Sequence, residues 1–252
     1  MSQADRLSSI LDELSSGGSV RVAELSDRFG VSVATIRRDL ELLEEQRLVS
    51  RVHGGAVARG LLYELPLRYK VARHQGEKRR IALAAAALIE EGSTVGLTGG
   101  TTTTEVARAL SEVPDLTIVT NALNIASELA IRSNLKLVVP GGVARSASYE
   151  LVGPIAESAL GGLNLDVVFV GVDGIAPEQG LTTHHEVEAY TNRVLIQRAA
   201  RSVAVADSSK LGRVAFARIC DVDEVDGLIS DTEADREVIA ALGALGTDIK
   251  LV

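Results

Sequence analysis

The residues best placed for chemistry are donors that could hold an anion. Gly99-Gly100-Thr101-Thr102-Thr103-Thr104, entered from Thr98, lies between an apolar run and a helical pattern. Two glycines allow a tight backbone, consecutive hydroxyls and N–H groups are expected to point inward, and the helix N-terminus behind them favours negative charge. The string lacks the GxxxxGK(S/T) lysine of a nucleotide P-loop, so it reads as a cradle for a small phosphate and not for ATP. The competing reading is an ordinary turn whose threonines cap a helix. Three other segments follow apolar runs: Pro140-Gly141-Gly142, Gly171-Val172-Asp173-Gly174 and Asp207-Ser208-Ser209-Lys210. Lys210 offers a point charge to phosphate, while Asp173 and Glu186 can accept hydrogen bonds from sugar hydroxyls. Each of these acids suits a surface or capping role equally well. Asp173, Glu186 and Lys210 could also form acid–base machinery, but nothing local sets their separation. His184 and His185, next to Glu186 and Glu188, lack zinc-like ligand spacing, so neither metal nor other cofactor is implied.

A second group of donors suits a polyanion. Ser32 can cap a helix in which Val33, Ile36, Leu40 and Leu43 form one apolar stripe, leaving Thr35, Arg37 and Arg38 to face outward. An arginine fork reads guanine or grips phosphate. Leu48 to Val52 alternates and His53-Gly54-Gly55 turns, which predicts a hairpin with Arg51 and His53 at its tip and Gly54 permitting close approach to a DNA strand. The competing reading is a solvated face of a small helical bundle.

The elements needed to position these residues are legible. Leu7, Ile10, Leu11 and Leu14 predict a first helix stopped by Gly17-Gly18, and Val22, Leu25 and Phe29 a second one ended by Gly30. Three helices and a basic hairpin make a winged helix-turn-helix over residues 1–57. Residues 56–65 read as a linker, and Pro66 suits the start of one long helix running to about Glu91. Residues 58–75 are therefore linker and helix start, and 76–252 a second domain. Strands are expected at Thr94–Leu97, Leu116–Val119, Leu135–Val139, Asp166–Val172 and Val203–Ala206, with helices from Glu105 to Leu110 and from Asn121 to about Ile131. Gly180-Leu181-Thr182-Thr183 reads as a loop. Near-continuous apolar strands alternating with helices indicate α/β architecture with a mainly parallel sheet, whose ligands collect at the carboxyl ends of its strands.

Bulk properties narrow the class. The 252 residues carry a net charge of −8, which argues against nucleic acid until the chain is divided. Residues 1–80 hold 14 Lys and Arg against 11 Asp and Glu, a net of +3; the remainder holds 12 against 23, a net of −11. A basic head on an acidic body is compatible with DNA binding. One cysteine, Cys220, excludes an internal disulfide and suits a cytoplasmic setting. No run of about 20 apolar residues and no basic-then-apolar leader is present, so no membrane association is expected.

In combination these strings resemble the DeoR family of bacterial repressors. ELSDRFGVSVATIRRDL and RVHGGA resemble its DNA-binding signature, and EKRRIALAAAALI, GGTTTTEVARAL, TIVTNALNIA, PGG, VFVGVDGI, GLTT and ADSSKLG its effector domain, in the same order. The resemblance implies a winged helix on operator DNA and a sensor domain similar to ribose-5-phosphate isomerase, with a phosphorylated sugar releasing the repressor. It also implies a homo-oligomer, dimer or tetramer, on repeated half-sites. Matched motif by motif, phosphate would lie at Gly99 to Thr103 with Lys210, and Asp173 and Glu186 would face the sugar. Gln46-Arg47 departs from the glycine that the family often has after the recognition helix. Two alternatives stay open: an active sugar-phosphate isomerase or deaminase with a DNA-binding head, and a second domain that only oligomerises.

Overall fold

The computed structural model describes residues 2–58 and 65–252, which form two compact units divided between residues 73 and 74. In the first unit, α1 (Gln3–Gly17) starts from a capping box in which Ser2 and Asp5 satisfy each other's amides, and ends where Gly18 turns left-handed. β1 (Ser19–Arg21), α2 (Val22–Phe29) and α3 (Val33–Glu45) follow, then β2 (Val49–Val52), β3 (Gly55–Ala58) and the short α4 (Leu67–Lys70). The helices close over Ile10, Leu11, Leu25, Ile36, Leu40 and Leu43, all buried. Each such side chain contributes about 2 kcal/mol by leaving water.

Several expectations change here. Val33 is not on the core stripe but 41% exposed; the buried place on α3 is taken by Asp39, which the apolar pattern hides. The hairpin is one half of a three-stranded sheet, β1-β3-β2, because β3 pairs on both sides. Gly55 makes this possible: a Cβ there would lie 2.0 Å from the Val20 carbonyl oxygen. Residues 56–58 therefore belong to β3 and not to a linker; residues 59–64 of the expected linker lie outside the described residues. Only His53 and Gly54 form the tip, with Gly54 at φ 79°, while Arg51 lies within β2.

Just after α3, Arg47 takes the left-handed conformation at φ 59°, its amide donating to the Glu44 carbonyl at 2.8 Å and that of Leu48 to Leu43 at 3.0 Å. An L-residue in that region costs about 1 kcal/mol, partly offset by the entropy a glycine loses on folding. Arg47→Gly is thus expected to raise the unfolding free energy of the DNA-free protein by about 0.5 kcal/mol, a rise of about 2–4 °C in melting temperature for this unit. A lower melting temperature would show that the Arg47 side chain contributes more than its backbone costs.

The second unit opens with α5 (Gln75–Ala86). The single long helix expected from Pro66 to about Glu91 is thus two helices: the chain turns at 71–74, where His74 is left-handed at φ 50°, and the second piece stops at Ala86. The remaining elements are β4 (Thr94–Leu97), α6 (Thr101–Leu110), β5 (Leu116–Thr120), α7 (Leu123–Leu129), β6 (Leu135–Val138), β7 (Val143–Ala144), β8 (Leu151–Val152), α8 (Pro154–Gly161), β9 (Leu165–Gly171), β10 (Gly174–Ala176), β11 (Gly180–Thr183), α9 (Glu186–Gln197), β12 (Ala199–Val205), β13 (Ala217–Cys220), β14 (Gly227–Ser230), α10 (Arg236–Gly243) and β15 (Asp248–Leu251). Seven strands form one parallel sheet in the order β15-β14-β12-β9-β4-β5-β6. Alternation sorts its side chains into two cores: Val168, Val170 and Ala204 pack on one face, Phe169, Val203 and Val205 on the other. Cys220 is buried among the first set, and burial pushes its thiol up to about 12.

From β4 the chain builds outward through β5 and β6, then returns to β9 on the opposite side of β4 and continues to β15. β4 and β9 are neighbours although the chain leaves β4 toward β5 and leaves β9 toward β12, and the carboxyl ends of strands at such a reversal are where α/β sheets commonly place a ligand. GLTT, expected as a loop, is β11, held in a small antiparallel sheet between β10 and β13 that flanks this end.

Candidate functional site

The Gly-Thr stretch differs from the expected loop. The helix begins at Thr101, not at Glu105, so the four threonines form its first turn. Two of the four hydroxyls are committed: Thr103 and Thr104 both donate to the Gly100 carbonyl, at 3.0 and 2.6 Å, and Asn124 donates to Thr104 at 2.9 Å. Thr102, Thr103 and Thr104 are buried and Thr101 half-buried. No side chain caps the turn, so its leading backbone N–H groups are what the site offers an anion. Gly100 adopts φ 136°, open only to glycine, and a Cβ on Gly171 would lie 2.6 Å from the Gly99 carbonyl. The loops after β4 and β9 therefore touch through bare backbone. Thr98 stitches them together, its hydroxyl accepting the Gly171 N–H at 2.9 Å.

Opposite this turn the loop after β12 supplies Lys210. Asp207 accepts from the Ser209 amide at 3.2 Å and Asp231 from that of Ser208 at 2.7 Å, which shapes the turn that carries the lysine. Lys210 Nζ lies 3.7 Å from Asp173 Oδ1, and the other Asp173 oxygen accepts from the Thr183 hydroxyl at 3.2 Å. His184 Nε2 stands 3.8 Å from Asp173 Oδ1, whereas His185 caps α9 by accepting the Val187 amide at 3.2 Å. Gly141 and Gly142 occupy the turn after β6; Gly142, at φ 143°, fits against the Val152 backbone and Ala156, where a Cβ would crowd both. They shape the wall beside the hairpin of β7 and β8 and bring no donor side chain.

Glu186 is not drawn into this cluster. It is the exposed first residue of α9, its carboxylate 3.7 Å from His185. Two residues on, about 200° around the helix, Glu188 takes the interior place and is only 2% exposed. Glu188 is paired with Arg145, and its Oε2 lies 3.2 Å from the Thr183 hydroxyl, whose one proton is shared between Glu188 and Asp173. Glu150, from the turn before β8, reaches in beside it and accepts the Gly99 N–H at 2.8 Å and the Asn121 amide at 3.3 Å. Burial, and then the neighbouring Glu188, hold the Glu150 carboxyl well above the usual carboxylate range. Asn121 also donates to the Leu151 carbonyl and to Asn192. One signal for part of this set existed: Glu188, Asn192 and Leu195 share one stripe of α9, marking polar groups on a buried helix face. Glu150 and Arg145 had none.

In the first unit, Arg37 and Arg38 are exposed on α3, opposite the buried Ile36 and Leu40. Ser32 caps the helix, accepting the Thr35 amide at 3.1 Å, and its hydroxyl lies 2.9 Å from that of Thr35. Arg51 is exposed but tied to Glu41 at 2.9 Å and Glu44 at 4.0 Å, so its charge is largely compensated within the unit. His53 and Gly54 are exposed at the wing tip.

Residues 6–59 match the model of the DeoR-like helix-turn-helix domain, and residues 73–232 that of the DeoR C terminal sensor domain. The HTH-type transcriptional regulator GlpR of Haloferax volcanii is 38% identical, with 98% of each chain covered. The glycerol-3-phosphate regulon repressor of Escherichia coli K12 is 34% identical, with 96% of each chain covered. Among solved structures, ribose 5-phosphate isomerase A of Methanocaldococcus jannaschii is 19% identical at a TM-score of 0.40, over 54% of each chain.

Proposed function

The chain belongs to the DeoR family of transcriptional regulators, and from this we propose that it is a repressor of a carbohydrate operon, held on operator DNA by its N-terminal unit and released when a phosphorylated sugar binds the second. What supports the ligand reading is that the loop carrying Asp173, paired with Lys210, follows Gly171, whose backbone lies against Gly99 just ahead of the uncapped first turn of α6, where strand order reverses. Amides and lysine suit the phosphate; carboxylates suit hydroxyl donors. The unit senses its ligand without turning it over, and works in the cytosol as an oligomer on half-sites about 34 Å or a multiple apart. An effector that prefers the DNA-incompetent state a hundredfold weakens operator affinity by at most about 2.7 kcal/mol.

The test uses an operator selected from a random duplex pool and a panel of sugar phosphates. Effector addition is expected to release the DNA. Lys210→Ala should leave operator affinity within about twofold while weakening the effector about tenfold or more, the loss of one charge-assisted contact. Sugar phosphates that bind the protein without altering operator affinity would end the reading.

A further inference from the structure

The cluster behind the phosphate turn has an imbalance of charge and of hydrogen bonds. Of its three carboxyl groups, Glu188 is paired with Arg145 and Asp173 lies 3.7 Å from Lys210. Glu150 meets only neutral donors, the Gly99 amide and Asn121, besides its carboxyl neighbour Glu188. Beside it Asn121, fully buried, leaves its side-chain oxygen with no donor. Turning the amide would set its oxygen against the Leu151 carbonyl, which only accepts. A buried acceptor without a donor costs about 1–3 kcal/mol, and a buried carboxyl without a cation gives up its charge. Both defects point to a ligand group that donates.

A neutral hydroxyl donates once and could serve only one of the two acceptors. An ammonium donates three times and supplies the missing charge. We propose that Glu150, Asn121 and Glu188 form a subsite for an ammonium group, so that the effector is an amino-sugar phosphate. This deepens the sugar-phosphate reading and rests on it, since the Gly99 amide that Glu150 accepts belongs to the turn assigned to the phosphate. Among the described residues the groups at Glu150 are Glu188 of α9, Asn121 after β5, Gly99 after β4 and, through its backbone, Arg145 across the hairpin; Asn192 lies behind Asn121, and Asp173, with Lys210 and His184 against it, behind Thr183. Without a cation beside it, burial and the neighbouring Glu188 favour the protonated form of Glu150. When R–NH3+ enters, Glu150 becomes a carboxylate and its proton passes to solvent, so affinity for the amine rises with pH until the empty-site Glu150 has itself ionised.

The experiment measures binding of glucosamine 6-phosphate and glucose 6-phosphate, and likewise galactosamine and galactose 6-phosphates, to the full chain by calorimetry in two buffers of different ionisation enthalpy. Inorganic phosphate serves as the probe of the anion end. In at least one pair the amine should bind about tenfold or more tightly than its hydroxyl counterpart and release up to one proton. Glu150→Gln keeps an acceptor for Gly99, so it should fold; it should narrow the gap to within about threefold and abolish proton release. An amine bound no more tightly than its partner in either pair overturns the inference and leaves the sugar-phosphate reading standing. Phosphate binding without any of the four sugars also overturns it, whereas failure of all five ligands removes the sugar-phosphate reading as well.

Discussion

Arg37→Ala with Arg38→Ala is expected to weaken binding to the selected operator about thirtyfold or more and to erase its preference over a scrambled duplex. Both guanidiniums are exposed on α3, and no ion pair holds either among the described residues, so they are available to bases and phosphates. A good bidentate contact discriminates by about 1–3 kcal/mol, and two lost contacts multiply. If one arginine grips phosphate instead, the salt dependence of binding should fall by about one unit of slope. Neither side chain packs in the core, so melting temperature should stay within about 2 °C. Arg51→Ala makes the contrast: its partners Glu41 and Glu44 compensate it already, and a smaller loss is expected. An unchanged affinity ratio in the double variant, measured by fluorescence anisotropy, would remove α3 as the reading helix.

Asp39→Ala should be the most damaging single change to folding of the N-terminal unit. Asp39 is 1% exposed and grips Arg6 from both oxygens, Nε to Oδ2 at 2.6 Å and Nη2 to Oδ1 at 3.1 Å, with Gln3 donating at 3.2 Å. Removing the acid strands a buried guanidinium, a loss of roughly 3 kcal/mol. For a unit of this size that corresponds to a fall of about 12–24 °C in melting temperature. Replacing both partners, as Arg6→Met with Asp39→Leu, removes the stranded charge along with the pair and should restore most of the loss. Calorimetry of the full chain resolves the question, and a single variant within about 1 kcal/mol of the parent would show that Arg6 finds water instead.

The strands of the sheet were legible because each is a local apolar run: β4, β5, β6 and β9 lie within one residue of their expected bounds, whereas β12 starts four residues earlier than expected, at Ala199, because its first residues Ala199-Ala200-Arg201-Ser202 are not an apolar run. β14 and β15 are four residues each and polar at one end, and were not expected. The break between α4 and α5 escaped because residues 71–74 carry no proline or glycine to announce a turn. The Gly-Thr stretch was read as an anion seat from composition, yet the fate of the Thr103 and Thr104 hydroxyls depended on the Gly100 carbonyl, which becomes reachable only once the helix starts at Thr101.

By itself the amino-acid sequence determined the α/β class, the basic head and acidic body, and the loops at which a phosphate would be sought. Periodicity, backbone freedom and charge are properties of neighbouring residues. Only the tertiary structure decided that Glu188 and not Glu186 faces inward, that Glu150 crosses to the Gly99 amide, and that Asp39 closes on Arg6. Those contacts join residues 33 and 51 positions apart in two of the three cases. Such pairings follow from strand register and helix rotation, which short-range patterns do not encode.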